Sequence, residues 1–172
     1  DHVTAYGGIT PANVGGLVDG AIFTRAPKDK KNTAIFVGGS NMADGEALFK
    51  AVRKKFFANF RVSVMLDSNG SNTTAAAGVA WLAHGRSLAG KRAVVLAGTG
   101  PVGQRAAVML AKEGARVAIT SRTLGRAQAA AQAIAERFKI EVDAIEADDN
   151  AARARAIEGA NLVFATGAAG VA

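Results

Sequence analysis

Gly98, Gly100 and Gly103 stand at the spacing G-x-G-x-x-G, and a loop of that pattern can cradle a pyrophosphate. The first glycine permits a tight turn. The second has no Cβ, so a phosphate can approach the backbone, and the third lets a helix pack closely on a strand. The flanks give the spacing its meaning. Ahead of it, Ala93-Val94-Val95-Leu96-Ala97 is an apolar, β-branched run that reads as a strand buried on both faces. Behind it, Val102 to Gly114 carries a helical apolar pattern. Thr99, Pro101 and Val102 complete the loop, and the positive end of the following helix faces the phosphates. A strand, this loop and a helix together make a dinucleotide-binding unit.

The next strand, Arg116 to Thr120, ends in Ser121-Arg122-Thr123, about 20 residues beyond the loop, where an NAD site usually places an Asp or Glu for the ribose 2′-hydroxyl. A carboxylate there would repel a 2′-phosphate, whereas a guanidinium binds it with two parallel charge-assisted bonds. Ser121 and Thr123 add hydroxyl donors, and Arg126 falls in the first turn of the following helix. The pattern points to NADP; an arginine merely solvated at a strand end is the plainer alternative. Gly167, opening the run Gly167-Ala168-Ala169-Gly170 after a further strand, joins the cofactor-binding candidates.

A second polar stretch, Asp67-Ser68-Asn69-Gly70-Ser71-Asn72-Thr73-Thr74, packs carboxylate, amide and hydroxyl groups at a strand-to-helix junction. It could hydrogen-bond a flat heterocycle with several ring nitrogens. Equally, Asn72 or Thr73 could simply cap the next helix. Ser71 has no base near it in sequence, so no nucleophile is assigned, and no residue is singled out as catalytic. His84, at a helix end beside Gly85, reads as structural. No metal-ligand spacing appears, and the absence of cysteine excludes disulfides and thiolate metal sites while suiting a reducing compartment.

The elements that must position these groups follow a repeating order. Thr10-Pro11 predicts a helix start, with the helix running through Val14, Leu17 and Val18 to Asp19 and ending at Gly20. Residues 21–24 read as a short strand and 33–37 as a stronger one, ending at Gly38-Gly39-Ser40-Asn41. From 44 to 57, Leu48, Val52 and Phe56 share a helical face. Residues 60–66 form a strand with Phe60, Val62, Val64 and Leu66 on one side, and 73–84 an Ala-rich helix. Beyond 116–120, Leu124, Ala127, Ala131, Ile134 and Phe138 make a helical stripe, and 140–145 a third strand. A short helix capped by Asp148 or Asp149 runs to Glu158, Gly159 ends it, and 161–165 is a fourth strand. This is the order of an α/β protein with parallel sheets and right-handed crossovers. We expect a smaller α/β substrate lobe over 1–87 and a Rossmann-type doubly wound sheet over 88–172, with a cleft between them. The loops that follow strands are the polar and Gly-rich ones, where ligands of such sheets bind.

Composition narrows the class further. Apolar residues make up 49% and aromatics 6% of the 172 residues, so the core is built from small aliphatic side chains. The net charge is +7, but no aromatic residues interleave the basic clusters as a nucleic-acid stacking platform requires. Steering of an anionic cofactor or substrate accounts for the sign instead. No stretch is apolar enough to span a bilayer and the start is no signal peptide, so a cytoplasmic protein without membrane partners is expected. The chain opens without Met and stops just after a strand, which reads as part of a longer protein, its nucleotide domain truncated on the C-terminal side.

Several of these motifs together resemble a known family. Asp67-Ser-Asn-Gly-Ser-Asn-Thr-Thr-Ala-Ala-Ala-Gly78, Ile35-Phe-Val-Gly-Gly39 and Gly98-Thr-Gly-Pro-Val-Gly103 are similar to the NADP-dependent methylene-tetrahydromethanopterin/methylene-tetrahydrofolate dehydrogenases of methylotrophic bacteria. Asp19-Gly-Ala-Ile-Phe-Thr-Arg25 and Ser121-Arg122-Thr123 fit as well. The resemblance implies a first lobe that helps bind a reduced pterin, a second that binds NADP, a homo-oligomer, and hydride transfer from the methylene carbon to NADP. On it, Asp67, Asn69, Ser71, Thr73 and Thr74 fall to the pterin side. The rival readings are a shikimate-type NADP-dependent dehydrogenase, whose Lys/Asp proton-transfer pair has no clear equivalent here, and a non-catalytic NADP-binding module.

Overall fold

The computed structural model describes residues 2–167. The chain separates into two compact units, Asp1–Gly70 and Ser71–Ala172. The expected division at 87/88 lies further along, because the helix over 71–83 makes its packing contacts within the second unit, as described below.

In the first unit, helix α1 (Gly15–Phe23) follows a turn in which the Thr10 carbonyl accepts from the backbone N–H groups of Asn13 and Val14. Val14, Val18 and Ile22 recur every four residues and are all buried, so residues 21–23 continue a helix. The expected strand at 21–24 and helix end at Gly20 are therefore corrected: a four-residue apolar run cannot distinguish a strand from the last turn of a helix. Strand β1 (Ala34–Val37), helix α2 (Met42–Lys54) and strand β2 (Ser63–Leu66) then form a β-α-β unit whose strands pair in parallel, with Ala34 opposite Ser63 and Val37 opposite Leu66. The second strand is shorter than the expected 60–66, since Phe60 turns back to pair with Phe57. Val62, Val64 and Leu66 nevertheless pack with Val37, Val52 and the α1 face. Lys30, 3% exposed, places its ammonium 4.0 Å from the centre of the Phe60 ring, where the ring face offsets part of its lost hydration.

Helix α2 starts cleanly because the Asn41 Oδ1 accepts from the backbone N–H groups of Ala43 and Asp44. Asn41→Ala is expected to cost about 1 kcal/mol of stability, measured as a lowered urea midpoint with an unchanged slope.

The second unit opens with helix α3 (Ser71–Ala83) and continues β3 (Arg92–Leu96), α4 (Pro101–Lys112), β4 (Arg116–Ser121), α5 (Leu124–Phe138), β5 (Asp143–Glu146), α6 (Asn150–Ile157) and β6 (Leu162–Ala165). Among the described residues the sheet order is β5-β4-β3-β6, every pair parallel. In the domain's own count that is 3-2-1-4, one half of a doubly wound nucleotide fold with the neighbouring strand of the other half. Ala93, Val94 and Val95 are fully buried, as are Leu110, Ile119 and Ala106, which fits a central strand covered on both faces. Helix α3 joins this core through Ala75 and Val79. A β-carbon on its Gly78 would stand 2.2 Å from the Phe164 ring, so this glycine is where the β6 aromatic lies against the helix. The α5 stripe is buried at Ala127, Ala130 and Ile134, but its expected ends, Leu124 and Phe138, are 41% and 39% exposed. No helix among the described residues is long and apolar enough to cross a membrane.

Candidate functional site

Strand β3 ends in a turn held from several sides. Ala97 adopts a left-handed conformation (φ 52°), which costs a non-glycine residue on the order of 1–2 kcal/mol. Its N–H donates to the Thr120 hydroxyl at 3.1 Å, and the Gly98 N–H donates to the Thr120 carbonyl at 2.9 Å. The Thr166 hydroxyl, just past β6, donates to the carbonyls of Leu96 and Ala97 at 3.0 and 3.1 Å. The Gln104 side-chain amide donates to the Thr99 carbonyl at 2.7 Å. The loop is thus preorganised by groups from β4, α4 and the end of β6.

The three glycines have different neighbours. A β-carbon on Gly98 would stand 2.9 Å from the Val95 carbonyl oxygen and 3.0 Å from the Ile119 Cβ. One on Gly103 would stand 2.6 Å from the Gly98 Cα and 2.7 Å from the Thr166 hydroxyl. One on Gly100 would meet nothing within 4 Å. Gly98 and Gly103 are therefore required by packing, while Gly100 keeps an approach to the backbone open. Gly100 is also the N-cap of α4, with Pro101 in the first turn and no side-chain cap hydrogen bond, so the helix end presents backbone N–H groups rather than a capping oxygen. Those features fit the sequence expectation of a phosphate-binding turn: Gly98 and Gly103 are closely packed, while the backbone at Gly100 stays open.

Beyond the loop, Leu96, Ala97, Thr99, Thr120, Ser121, Arg122, Arg126, Ala147 and Arg153 line an open groove. It brings together four of the cofactor residues expected from sequence, Thr99, Ser121, Arg122 and Arg126. Thr123 is the exposed N-cap of α5, and Gly167 follows Thr166; neither lines the groove. The rest of the 167–170 run lies outside the described residues. Thr120, Gln104, Thr166 and Arg153 were not singled out from sequence. Thr120 and Thr166 are ordinary polar residues whose contacts arise only when distant segments pair, Gln104 bonds back to the loop from five residues on, and nothing in the sequence sets Arg153 apart from the other basic residues. Among the described residues no acidic side chain lines the groove. Glu146, at the end of β5, instead accepts the Leu124 backbone N–H at 3.1 Å, supplying the α5 terminus that Thr123 does not cap.

The pterin-side candidates divide between the two units. In the first, Asp67 and Asn69 follow β2, and their N–H groups donate to the Val37 carbonyl at 2.9 Å and the Gly39 carbonyl at 2.7 Å. These bonds join the loops that follow the two strands. Asp67 is buried; Asn69 is exposed, in a left-handed conformation (φ 54°). In the second, Ser71 is buried and Thr73 and Thr74 are exposed on the first turns of α3. The neighbouring Asn72 accepts a hydrogen bond from the Arg105 guanidinium, which also donates to the Pro101 carbonyl at 3.1 Å. Arg105 therefore links α3 to the first turn of α4. Among the described residues no cluster of His, Cys, Asp and Glu could hold a metal ion.

Comparison with known proteins agrees with this division of the chain. Residues 1–69 match the family model of the methylene-tetrahydromethanopterin dehydrogenase N-terminal domain, and residues 87–169 an NAD(P)-binding family model. Bifunctional protein MdtA of Methylorubrum extorquens is 60% identical over 99% of this chain and 60% of its own length. The NAD(P)-dependent methylenetetrahydromethanopterin dehydrogenase of the same organism is 35% identical over 96% of this chain and 58% of its own length. The chain thus spans about 60% of the length of these curated relatives. Among solved structures, an L-alanine dehydrogenase matches 54% of this chain and 27% of its own (23% identity, TM-score 0.39). A dipicolinate synthase subunit from Bacillus halodurans matches 80% and 44% (18% identity, TM-score 0.45). Residues 1–69 are thus similar to the N-terminal domain of methylene-tetrahydromethanopterin dehydrogenases and residues 87–169 to an NAD(P)-binding domain, and both curated relatives align across the two together.

Proposed function

We propose that the protein oxidises methylene-tetrahydromethanopterin, methylene-tetrahydrofolate or both to the methenyl form, with NADP as the oxidant. The observation that carries the NADP half is the groove beyond β4, lined by Ser121, Arg122 and Arg126 and by no carboxylate. A 2′-phosphate is favoured there, and the acidic residue that would prefer a bare ribose is lacking. The pterin half is supported by the family match over 1–69 and by the polar loop after β2.

When bound, NADP supplies a hydride acceptor at its nicotinamide ring. The protein's own part is to hold and orient. The α4 N-terminus and Gly100 receive the pyrophosphate, and Arg122 with Arg126 the adenosine end. Asp67 pairs with the pterin's amide and amino N–H groups or favours the cation that develops as hydride leaves. The two substrate nitrogens flanking the methylene carbon stabilise that cation themselves, so no general base is required. Catalysis then rests on positioning and electrostatics.

The test is an assay of the full-length protein with each methylene-pterin and NADP, following the methenyl chromophore. Its appearance supports the reading, whereas NADP binding without turnover on either pterin would mark a nucleotide-binding module. Asp67→Ala is expected to lower turnover about tenfold, the loss of one hydrogen bond to a charged group, with NADP affinity nearly unchanged. Unaltered turnover would clear Asp67 of any role.

A further inference from the structure

Three guanidinium-bearing residues line the groove: Arg122 from the β4–α5 connection, Arg126 from the first turn of α5, and one from elsewhere. Arg153 stands on α6, two strands along in the chain from the glycine loop, and forms the wall beside Ala147. It is half-buried, whereas Arg155, on the same helix, is exposed. Its place is fixed by the start of α6. The Asp149 carboxylate accepts the Ala152 N–H at 2.6 Å, the Asp149 carbonyl accepts the Arg153 N–H at 3.0 Å, and the Asn150 side-chain oxygen accepts from Arg153 Nη1 at 2.8 Å. That last bond uses one of five N–H donors and orients the planar fork.

Two of the carboxylates that flank Ala147 in the chain are engaged by backbone, Asp149 capping α6 and Glu146 capping α5, and the third, Asp148, is exposed and does not line the groove. Gathering three cations without lining counter-charges is unfavourable unless an anion joins them. A neutral adenine ring offers its faces to cations but no negative charge, whereas a phosphate monoester carries close to two negative charges and three acceptor oxygens.

We infer that Arg153 is a specificity-determining residue: it binds the 2′-phosphate of the cofactor from the α6 side, opposite Arg122. The inference rests on the reading of this groove as the adenosine site of NADP. It extends that site to a segment that follows the third strand of the domain, outside the Ser121-Arg122-Thr123 signature.

Two probes separate the possibilities, adenosine 2′,5′-bisphosphate and adenosine 5′-monophosphate, titrated calorimetrically into the full-length protein at several salt concentrations. The wild type is expected to prefer the bisphosphate. Arg153→Ala should weaken the bisphosphate about tenfold, leave the monophosphate unchanged and flatten the salt dependence; Arg153→Lys should recover part of the loss. Alanine is the best helix former, so the melting temperature should hold and a folding defect would be evident. Equal weakening of both probes, or none, overturns the assignment of Arg153. If Arg122→Ala alone abolishes the preference, the NADP site stands and only the Arg153 role fails. If the wild type does not distinguish the probes, the NADP reading of the groove fails with it.

Discussion

Gly103→Val is expected to lose both cofactor binding and much of the stability of the nucleotide unit. The obstruction is largely backbone: a β-carbon there would lie 2.6 Å from the Gly98 Cα and 2.7 Å from the Gly98 carbonyl oxygen. Neither atom can swing aside as a flexible side chain would, and valine adds two further methyl groups. Overpacking of a filled interior typically costs about 1–3 kcal/mol, occasionally more. With two backbone atoms in the way, about 3 kcal/mol is the expected scale. For a domain of this size each kcal/mol corresponds to roughly 4–8 °C, so Tm should fall by more than about 10 °C. NADP and NAD should be lost together, because the turn beneath the pyrophosphate is displaced. Gly100→Ala is the matched control. Gly100 has φ −78° and ψ 172°, open to any residue, and its added carbon meets nothing within 4 Å. That variant should keep its Tm and still lose both cofactors. Should Gly103→Val melt with the wild type, the close packing of α4 on the loop is wrong.

Arg122→Ala is expected to act on one cofactor only. Losing a hydrogen bond to a charged group costs about 1.5–3 kcal/mol, so NADP affinity should fall ten- to a hundredfold while NAD changes little. Arg122 is exposed at the groove, so its removal should leave Tm unaltered, and the loss should shrink as salt screens the charge. Equilibrium titration with both reduced nucleotides measures it. Equal losses for NADP and NAD would remove the phosphate-selecting role and leave Arg122 as a general contact.

Much of the nucleotide unit was legible because its signals are local. The run 93–97 had the composition of a strand buried on both faces, and Gly98, Gly100 and Gly103 marked the turn into α4 within a few residues. The places where reading failed share a different cause. Ala21-Ile22-Phe23 has the composition of a strand, yet Ile22 completes a four-residue repeat with Val14 and Val18, visible only when Gly20 is accepted inside a helix. The α5 stripe was drawn one residue off at its centre: Ala130 is buried where Ala131 is half-buried. Among small alanines, hydropathy does not fix which faces inward. Thr120 bonds the loop from 23 residues away, and Thr166 from 69 and 70. No spacing rule reaches that far, so nothing local marks Thr120 at the end of its strand or Thr166 just past its own. The polar loop at 67–74 was legible as a cluster, but its division into buried Asp67 and Ser71 and exposed Asn69, Thr73 and Thr74 depends on packing.

The grip of Thr166 on Leu96 and Ala97 bears on the order of assembly. Arg92 also reaches across, its guanidinium donating to the Glu158 carbonyl at 2.6 Å and the Ala156 carbonyl at 2.9 Å. A nascent chain on the ribosome can form β3, α4 and β4 early, with Thr120 and Gln104 already on the glycine turn, but the Thr166 bonds arrive only with β6. Nucleotide therefore meets a fully fastened turn only after β6 has paired.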